Sequence, residues 1–459
     1  MNQEAETLKE QIVSHIASLK VFFEQASLKN CFSTTTHNRW ELAYEYVKGL
    51  ATSPSKRHMA SIAQHCSPIN NQAFSHFLSQ SPWDHRKLVH WIMDHGWQII
   101  GKKGTLVIDE CANPKAGKHS VGVNRQYCGN MGKVDNCQVG VFMAYVKAGH
   151  RLLLDYRLYL PETWIQNPAR CDASGIPREH QIFKTKAELA YELICEAVKA
   201  KIRFTHIAMD GFYGGHPWLL TRLERMDLIY VADIGSDERV YCECPVHQIP
   251  TKKGVRGREP TRKKVMNSTP VRVDAIMNTI ENWREIRIRK SMDGFLEAKF
   301  YAVKVWRIDK EVSQPLPVWL LIRKELDDSE TKYSFCNAIR ITSWSRLVKM
   351  QSERYWIERS FQDANKIAGM SDYQVRNWNA WHHHMALVLL AMLWVTQELM
   401  HFQTVRKKIT LNDIVRIIKF LFPLKVQDAL SVANTIISNE INRDKSRRSK
   451  MKRKRQAAI

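Results

Sequence analysis

The sequence predicts a mixed α/β protein: a mixed sheet covered on both faces by helices, interrupted by a β-rich insertion and flanked by helical N- and C-terminal regions. Three observations predict it. Strand-like runs at 105–109, 138–146 and 152–160 follow one another with only turn residues such as Gly149-His150 between them, the pattern of an antiparallel meander. Apolar runs at 204–210 and 228–234 then alternate with helical patterns at 185–201 and 216–225, as strands buried on both faces do. Finally, a Pro/Gly-punctuated basic stretch gives way to period-two segments at 285–289 and 299–306.

Taken in order, residues 1–100 read as a helical region. Leu8, Ile12, Ile16 and Leu19 recur at helical spacing. Residues 57–66 predict a helix, Ser67-Pro68 ends it, and 70–80 predict a second with Phe74, Phe77 and Leu78 on one face, a pairing compatible with a helix-turn-helix. Residues 101–235 form the first part of the core and 236–315 the basic insertion. The second part, 316–402, resumes with the apolar run 318–322, continues as one helix over 343–370 that carries Glu358, and ends in a bulky helix over 378–402. A helical region at 403–442 and a basic tail at 443–459 complete the chain.

The 459 residues carry 69 Lys+Arg against 46 Asp+Glu, a formal charge of +23, which makes a polyanion the expected partner. The charge concentrates in Lys252, Lys253, Arg256, Arg258, Arg262, Lys263 and Lys264, suited to phosphate contacts, and in the tail from Arg443 to Arg455. The apolar run 385–395 is too short for a bilayer and the N-terminus has no leader pattern, so an intracellular protein without a membrane partner is expected. Ten scattered cysteines predict reduced thiols. Cys242, Cys244 and His247 lack the second pair a zinc site needs, and of His382, His383 and His384 a single ring is expected to face the core.

The chemistry is carried by three carboxylates. Asp109 follows the apolar run Leu106-Val107-Ile108, Asp210 follows Ile207-Ala208-Met209, and Glu358 lies early in an amphipathic helix. Carboxylates converging from two strand ends and a helix suit hard divalent cations, and two such ions, Mg²⁺ or Mn²⁺, would activate an oxygen nucleophile and stabilise a departing 3′ oxygen. Asp109 is then the ligand shared by both ions, with Asp210 and Glu358 on the outside. Each residue alone also reads as a cap or a surface ion pair, and Glu110, Asp135, Asp155 and Asp233 compete, Asp233 because it too ends a buried strand.

Three segments resemble the DDE insertion-sequence transposases. The first runs from Ile108-Asp109-Glu110 through 117–127 to Val134-Asp135-Asn136-Cys137-Gln138. The second is Met209-Asp210-Gly211-Phe212-Tyr213-Gly214, and the third Trp356-Ile357-Glu358-Arg359-Ser360-Phe361 with 373–376 downstream. The resemblance implies a ribonuclease H-like core with a β-stranded insertion before the glutamate, helical flanks that bind terminal inverted repeats, and cleavage and strand transfer on double-stranded DNA, both element ends and target. It also implies Asp109, Asp210 and Glu358 as the metal-binding triad and a homodimer on the DNA, in a prokaryotic cytoplasm at the nucleoid.

Relatives with this insertion often carry Tyr, Arg, Glu and Lys along the glutamate helix. Here Arg354 fits the arginine, Gln351 stands at the tyrosine position, and Asn365 with Lys366 one step on stands at the lysine. Tyr355 and Trp356 offer faces for an unstacked base. The alternative reading is a catalytically inactive or domesticated DNA-binding regulator, which loss of a triad residue would favour; none is missing. A host nuclease with the same core is disfavoured by the long helical flanks and the insertion.

Overall fold

The computed structural model describes residues 21–34, 37–251, 259–261, 264–291, 294–308, 316–327, 329–341 and 343–425, with isolated positions towards either end. Its centre is a sheet in which three neighbouring strands are antiparallel and three parallel. β1 (Gly104–Pro114) pairs antiparallel with β3 (Lys133–Lys147), and β3 with β4 (His150–Leu158). On its other side β1 pairs parallel with β5 (Phe204–Met209), which pairs parallel with β6 (Tyr230–Ile234). A meander followed by two parallel strands, in the spatial order β4-β3-β1-β5-β6, is a ribonuclease H-like sheet. The short β2 (Asn124–Cys128) pairs with the start of β3.

Parallel neighbours require a crossover, and helices supply both. Lys186–Lys199 carries the chain from β4 to β5, opened by a capping box between Thr185 and Glu188; Pro217–Arg225, with proline in its first turn, carries it from β5 to β6. Most of the described strands of the insertion join this sheet. Strands β7 (Arg239–Tyr241), β10 (Val271–Arg272), β11 (Arg284–Ser291) and β12 (Gly294–Arg307) lead into β13 (Pro317–Glu325) and β14 (Thr331–Cys336), and β14 pairs antiparallel with β6. The run 318–322, expected to resume the core, therefore lies two strands beyond β6, on the far side of β14. β8 (His247–Gln248) and β9 (Lys264–Val265) form a separate two-stranded ribbon.

Helices from both ends of the chain meet around one long helix. α1 (Ala26–Asn30), α2 (Trp40–Thr52), α3 (Met59–His65), α4 (Asn71–Ser79) and α5 (His85–Ile100) precede the sheet. Counting the crossover and loop helices between them, α12 is Trp344–Ser352, α13 Tyr355–Ala368, α14 Trp378–Val405 and α15 Leu411–Leu421. α14 contacts α2, α4, α5, α15 and β4, so it is walled on nearly every side. By length and composition Trp378–Thr404 is apolar enough to cross a membrane, but its most apolar stretch of 18 residues is 83% buried within the fold.

That environment corrects the expectation for the histidine run. His382, His383 and His384 are all buried, at 5%, 2% and 0% exposure, because a helix surrounded on all sides has no solvent face to give. Backbone and side-chain oxygens receive them: the Trp378 carbonyl lies at 2.9 Å from His382 Nδ1, the Leu78 and Trp83 carbonyls at 2.8 and 2.9 Å from the two nitrogens of His383, and Tyr46 Oη at 2.9 Å from His384 Nδ1. α3 and α4 occur where the helix pair was expected, and Phe74, Phe77 and Leu78 are fully buried.

The helix expected over 343–370 is two. Its interruption at Glu353-Arg354 contains neither Gly nor Pro. Glu353 accepts a short hydrogen bond from Thr105 Oγ1 and lies 3.4 Å from His206, which ties the break to the beginnings of β1 and β5. Arg354, with αR backbone (φ −55°, ψ −38°), then starts α13, whose Ile357, Phe361, Ala364 and Ala368 face the core while Glu358 does not. Gly369, left-handed at φ 59°, ends the helix in the conformation glycine adopts without strain.

Candidate active site

Register places three aspartates in a row. Ile108 pairs with Met209 across β1 and β5, and Met209 with Ala232 across β5 and β6. The next residues, Asp109, Asp210 and Asp233, therefore stand side by side on adjacent parallel strands, roughly 5 Å apart at the backbone. Sheet geometry alone fixes this, since parallel strands in register advance together. The third aspartate is the one sequence reasoning left among the competitors.

Each carboxylate has distinct surroundings. Asp109 Oδ1 accepts the Glu110 N–H at 2.7 Å, and burial pushes the Asp109 carboxyl up to about 8, with neighbouring Asp210 adding to the rise and Arg354 opposing it. Asp210 caps the short helix Gly211–Gly214, accepting from the N–H groups of Phe212 and Tyr213 at 3.1 and 3.3 Å, and burial raises its carboxyl too. Asp233 Oδ1 accepts from Ser334 Oγ at 2.6 Å, and burial raises it against the pull of Ser334 and Arg354.

Arg354 is the centre of the cluster. Its Nε lies 3.1 Å from Asp233, one terminal nitrogen 3.0 Å from Glu358 one helical turn on, and the other 3.7 Å from Asp109. Glu358 is the outlying member, 46% exposed against 13% for Asp109, and reaches the row through the guanidinium. As they stand, no three His, Cys, Asp or Glu side chains among the described residues are grouped closely enough to hold a metal ion. In chemistry the donor set does fit one: hard carboxylate oxygens, two of them adjacent and raised by burial, which a bound cation would offset.

The remaining candidates divide. Tyr355 lines a cavity of about 90 Å³ with Asp233, Arg323, Lys332, Gln351, Arg354 and Glu358, so it borders the carboxylates. Trp356 is half-buried against the core, 5.2 Å from the Arg151 guanidinium, which itself pairs with Asp363. Lys366 is exposed eight residues beyond Glu358, about 12 Å along the helix axis, and the fold does not bring it to the row. Lys264 is exposed on β9; Lys252, Lys253, Arg256, Arg258, Arg262 and Lys263 lie outside the described residues, as does most of the tail.

Of the other acidic competitors, Glu110 pairs with Lys186 and accepts from Tyr213 Oη at 3.3 Å. Asp155 is fully buried between Arg86 and Arg157, and Asp135 pairs with Lys133 at 3.3 Å. Cys242 and Cys244 are exposed free thiols. A larger cavity, about 200 Å³, sits among β4, α5 and α14 and is lined by His85, Arg86, Tyr156, His180, Trp378 and His382; none of the aspartate row borders it.

Comparison with known proteins bears on this geometry. A chain from Microchaete diplosiphon described as a probable transposase for insertion sequence element IS701 is 29% identical over 201 residues, 43% of this chain and 50% of that one, so the chain spans about half the length of this relative. The piggyBac transposase, solved by cryo-EM as a synaptic complex with hairpin DNA, aligns over 88% of this chain and 75% of its own at 11% identity, with a TM-score of 0.41. The family model for the DDE superfamily endonuclease matches residues 27–294, which takes in Asp109 and Asp210 and stops short of Glu358. That match covers more than half of the chain, and the protein belongs to the DDE endonuclease superfamily.

Proposed function

We propose that the protein is a DNA transposase: it binds the terminal inverted repeats of an insertion sequence, cuts the DNA there and joins the freed ends to target DNA. The observation that carries this is the pair Asp109 and Asp210 at adjacent strand ends, linked through Arg354 to Glu358 on α13. Asp109, Asp210 and Glu358 would hold two divalent cations, Mg²⁺ or Mn²⁺, Asp109 being shared. Bound there, the cations supply activation of the attacking oxygen and neutralise charge on the departing 3′ oxygen.

The chain's own residues do the rest. The N–H groups of Phe212 and Tyr213 fix Asp210, and the Glu110 N–H fixes one oxygen of Asp109. Glu358, on an exposed helix face, has room to turn towards the row. Arg354 offers a planar fork suited to a phosphate, and Tyr355 a face at the cavity mouth. We assign the helical region 1–100 and the basic segments of 236–315 and 443–459 to duplex binding, with two copies of the chain holding two ends, in a prokaryotic cytoplasm at the nucleoid.

The test is cleavage of a supercoiled plasmid bearing the native element ends, with Mg²⁺ and with EDTA. Metal-dependent double-strand release by wild type, abolished in Asp109→Ala, Asp210→Ala and Glu358→Ala while end binding persists, is expected. Binding without cleavage by wild type would replace this reading with that of a DNA-binding regulator.

A further inference from the structure

The third aspartate of the row has no part in the triad, yet it makes the closest-knit contacts of the four acidic residues. Both of its oxygens are engaged: Oδ1 accepts from Ser334 Oγ at 2.6 Å, and Oδ2 lies 3.1 Å from Arg354 Nε. Ser334 is fully buried and stands opposite Asp233 in the β14–β6 register. Its hydroxyl in turn accepts from Gln351 Nε2 at 2.8 Å, and Gln351 is 5% exposed on the last turn of α12. The chain Gln351–Ser334–Asp233–Arg354 thus runs from one helix, through two strands, to the first residue before the next.

From this geometry we infer that Asp233 is a positioning residue: it grips Arg354 by its Nε edge, so that the two terminal nitrogens stay aimed at the space between Asp109 and Glu358 where the scissile phosphate would lie. This rests on the reading given under Proposed function. Guanidinium chemistry gives the reason. Arginine presents its donors in one rigid plane, so fixing the Nε edge fixes the direction of the fork. The contacts of Arg354 are unequal in the way this role requires. Its pairs with Asp109 at 3.7 Å and with an exposed Glu358 are loose or exchangeable, whereas the partner at Nε is itself hydrogen-bonded and held from behind. When Asp109 and Glu358 turn to other partners, the anchored edge remains and the fork is left facing the phosphate.

The backbone of Asp233 is confined as well. A Cβ on Gly214 would fall 1.9 Å from the Asp233 carbonyl oxygen, so the helix that Asp210 caps lies directly against β6 at this residue. A residue braced by backbone and side chain suits a positioning role better than that of a ligand that must reorient. Replacing Asp233 with Asn keeps an acceptor for Ser334 but turns an N–H towards Arg354 Nε–H, two donors face to face, which releases the edge without creating a cavity.

The experiment compares wild type, Asp233→Asn, Arg354→Gln, their double variant, Ser334→Ala and Asp109→Ala as full-length proteins. End-cleavage rates are measured across a Mn²⁺ titration, Mn²⁺ binding without DNA by electron paramagnetic resonance, and end-duplex binding in EDTA by fluorescence anisotropy. Asp233→Asn is expected to cleave at least tenfold more slowly at saturating Mn²⁺, with the half-saturating Mn²⁺ concentration, Mn²⁺ affinity and duplex affinity within twofold of wild type. Arg354→Gln should lose at least as much, and the double variant no more than Arg354→Gln alone, since the aspartate acts through the arginine. Ser334→Ala, one step further back, should show a smaller loss of the same kind and carries the test should Asp233→Asn not fold.

A tenfold fall in Mn²⁺ affinity in Asp233→Asn would make Asp233 a metal ligand and overturn the inference, as would losses that multiply in the double variant. Wild-type cleavage by Asp233→Asn, with Asp109→Ala inactive, would sink this inference alone; failure of wild type to cleave would sink the parent reading with it.

Discussion

Acid should unfold this protein at a mild pH, because α14 and its neighbours bury histidines that must stay neutral. Burial is the main cause in each case: His85 is pulled down to about 3, with His383 and Arg86 adding to the fall, His384 to about 3, and His382 well below its ordinary value, with His85 adding to the fall. At His384 burial and the nearby Lys115 outweigh the pull of backbone groups at Met370 and Gly369, which would favour the protonated ring. His383 is left out of the sum, since both of its nitrogens face backbone carbonyls that would welcome a proton.

The sign follows from proton counts. The unfolded chain protonates these rings near pH 6.5 and the folded one does not, so the unfolded state binds more protons and stability falls as pH falls below that value. Between pH 7.5 and 5 each ring contributes about 2 kcal/mol of lost stability, and three contribute about 6 kcal/mol. A loss of that size is comparable to the whole stability of an ordinary domain. Thermal unfolding followed by circular dichroism from pH 7.5 to 5 should show a steep fall in Tm, softened in His384→Asn. A flat Tm across that range would refute the reasoning. Asp155 cannot imitate the effect: its carboxyl is held down at about 2 by Arg157 and Arg86 against burial, so its contribution is intact above about pH 4 and is lost only as pH falls towards 2.

Other substitutions probe separate links. Asp155→Asn should destabilise by about 3 kcal/mol in urea unfolding, because it strands two partly buried guanidinium groups on one neutral amide. Leu389→Ala, at a fully buried position of α14, should cost about 3 kcal/mol by the same measurement, and a loss below about 1 kcal/mol would mean that the helix is not enclosed as described. Gly214→Ala should cut end cleavage by an order of magnitude or more at saturating metal, because a Cβ 1.9 Å from the Asp233 carbonyl forces the Asp210 helix and β6 apart; unimpaired cleavage would show that the row tolerates displacement.

The course of the chain through the core was largely legible because its signals are local. Apolar runs at 204–210 and 228–234 could only be strands buried on both faces, and the parallel pairings of the first with β1 and of the second with the first follow from the helices between them. Asp109 and Asp210 were legible for the same reason, each terminating such a run. What could not be read is what depends on register. Nothing in Tyr230-Val231-Ala232-Asp233 says that its aspartate stands beside Asp210 rather than one residue off, yet a shift of one would turn it to the opposite face. The break at Glu353-Arg354 was hidden likewise, since no helix breaker marks it and its cause, Glu353 bonded to Thr105, lies 248 residues away in sequence. The histidine run misled because helical periodicity assumes a solvent side, and α14 has none along the stretch that carries the three rings. These failures share a form: each concerns a polar group whose partner is brought by another element. Gln351 shows the consequence for function. In sequence it is a departure from the tyrosine expected of relatives; in the fold it is the far end of a chain of hydrogen bonds through Ser334 to Asp233, which pairs with Arg354. A position that looked like a missing part is thus an attached one, and the arginine has a support that no motif around Glu358 contains.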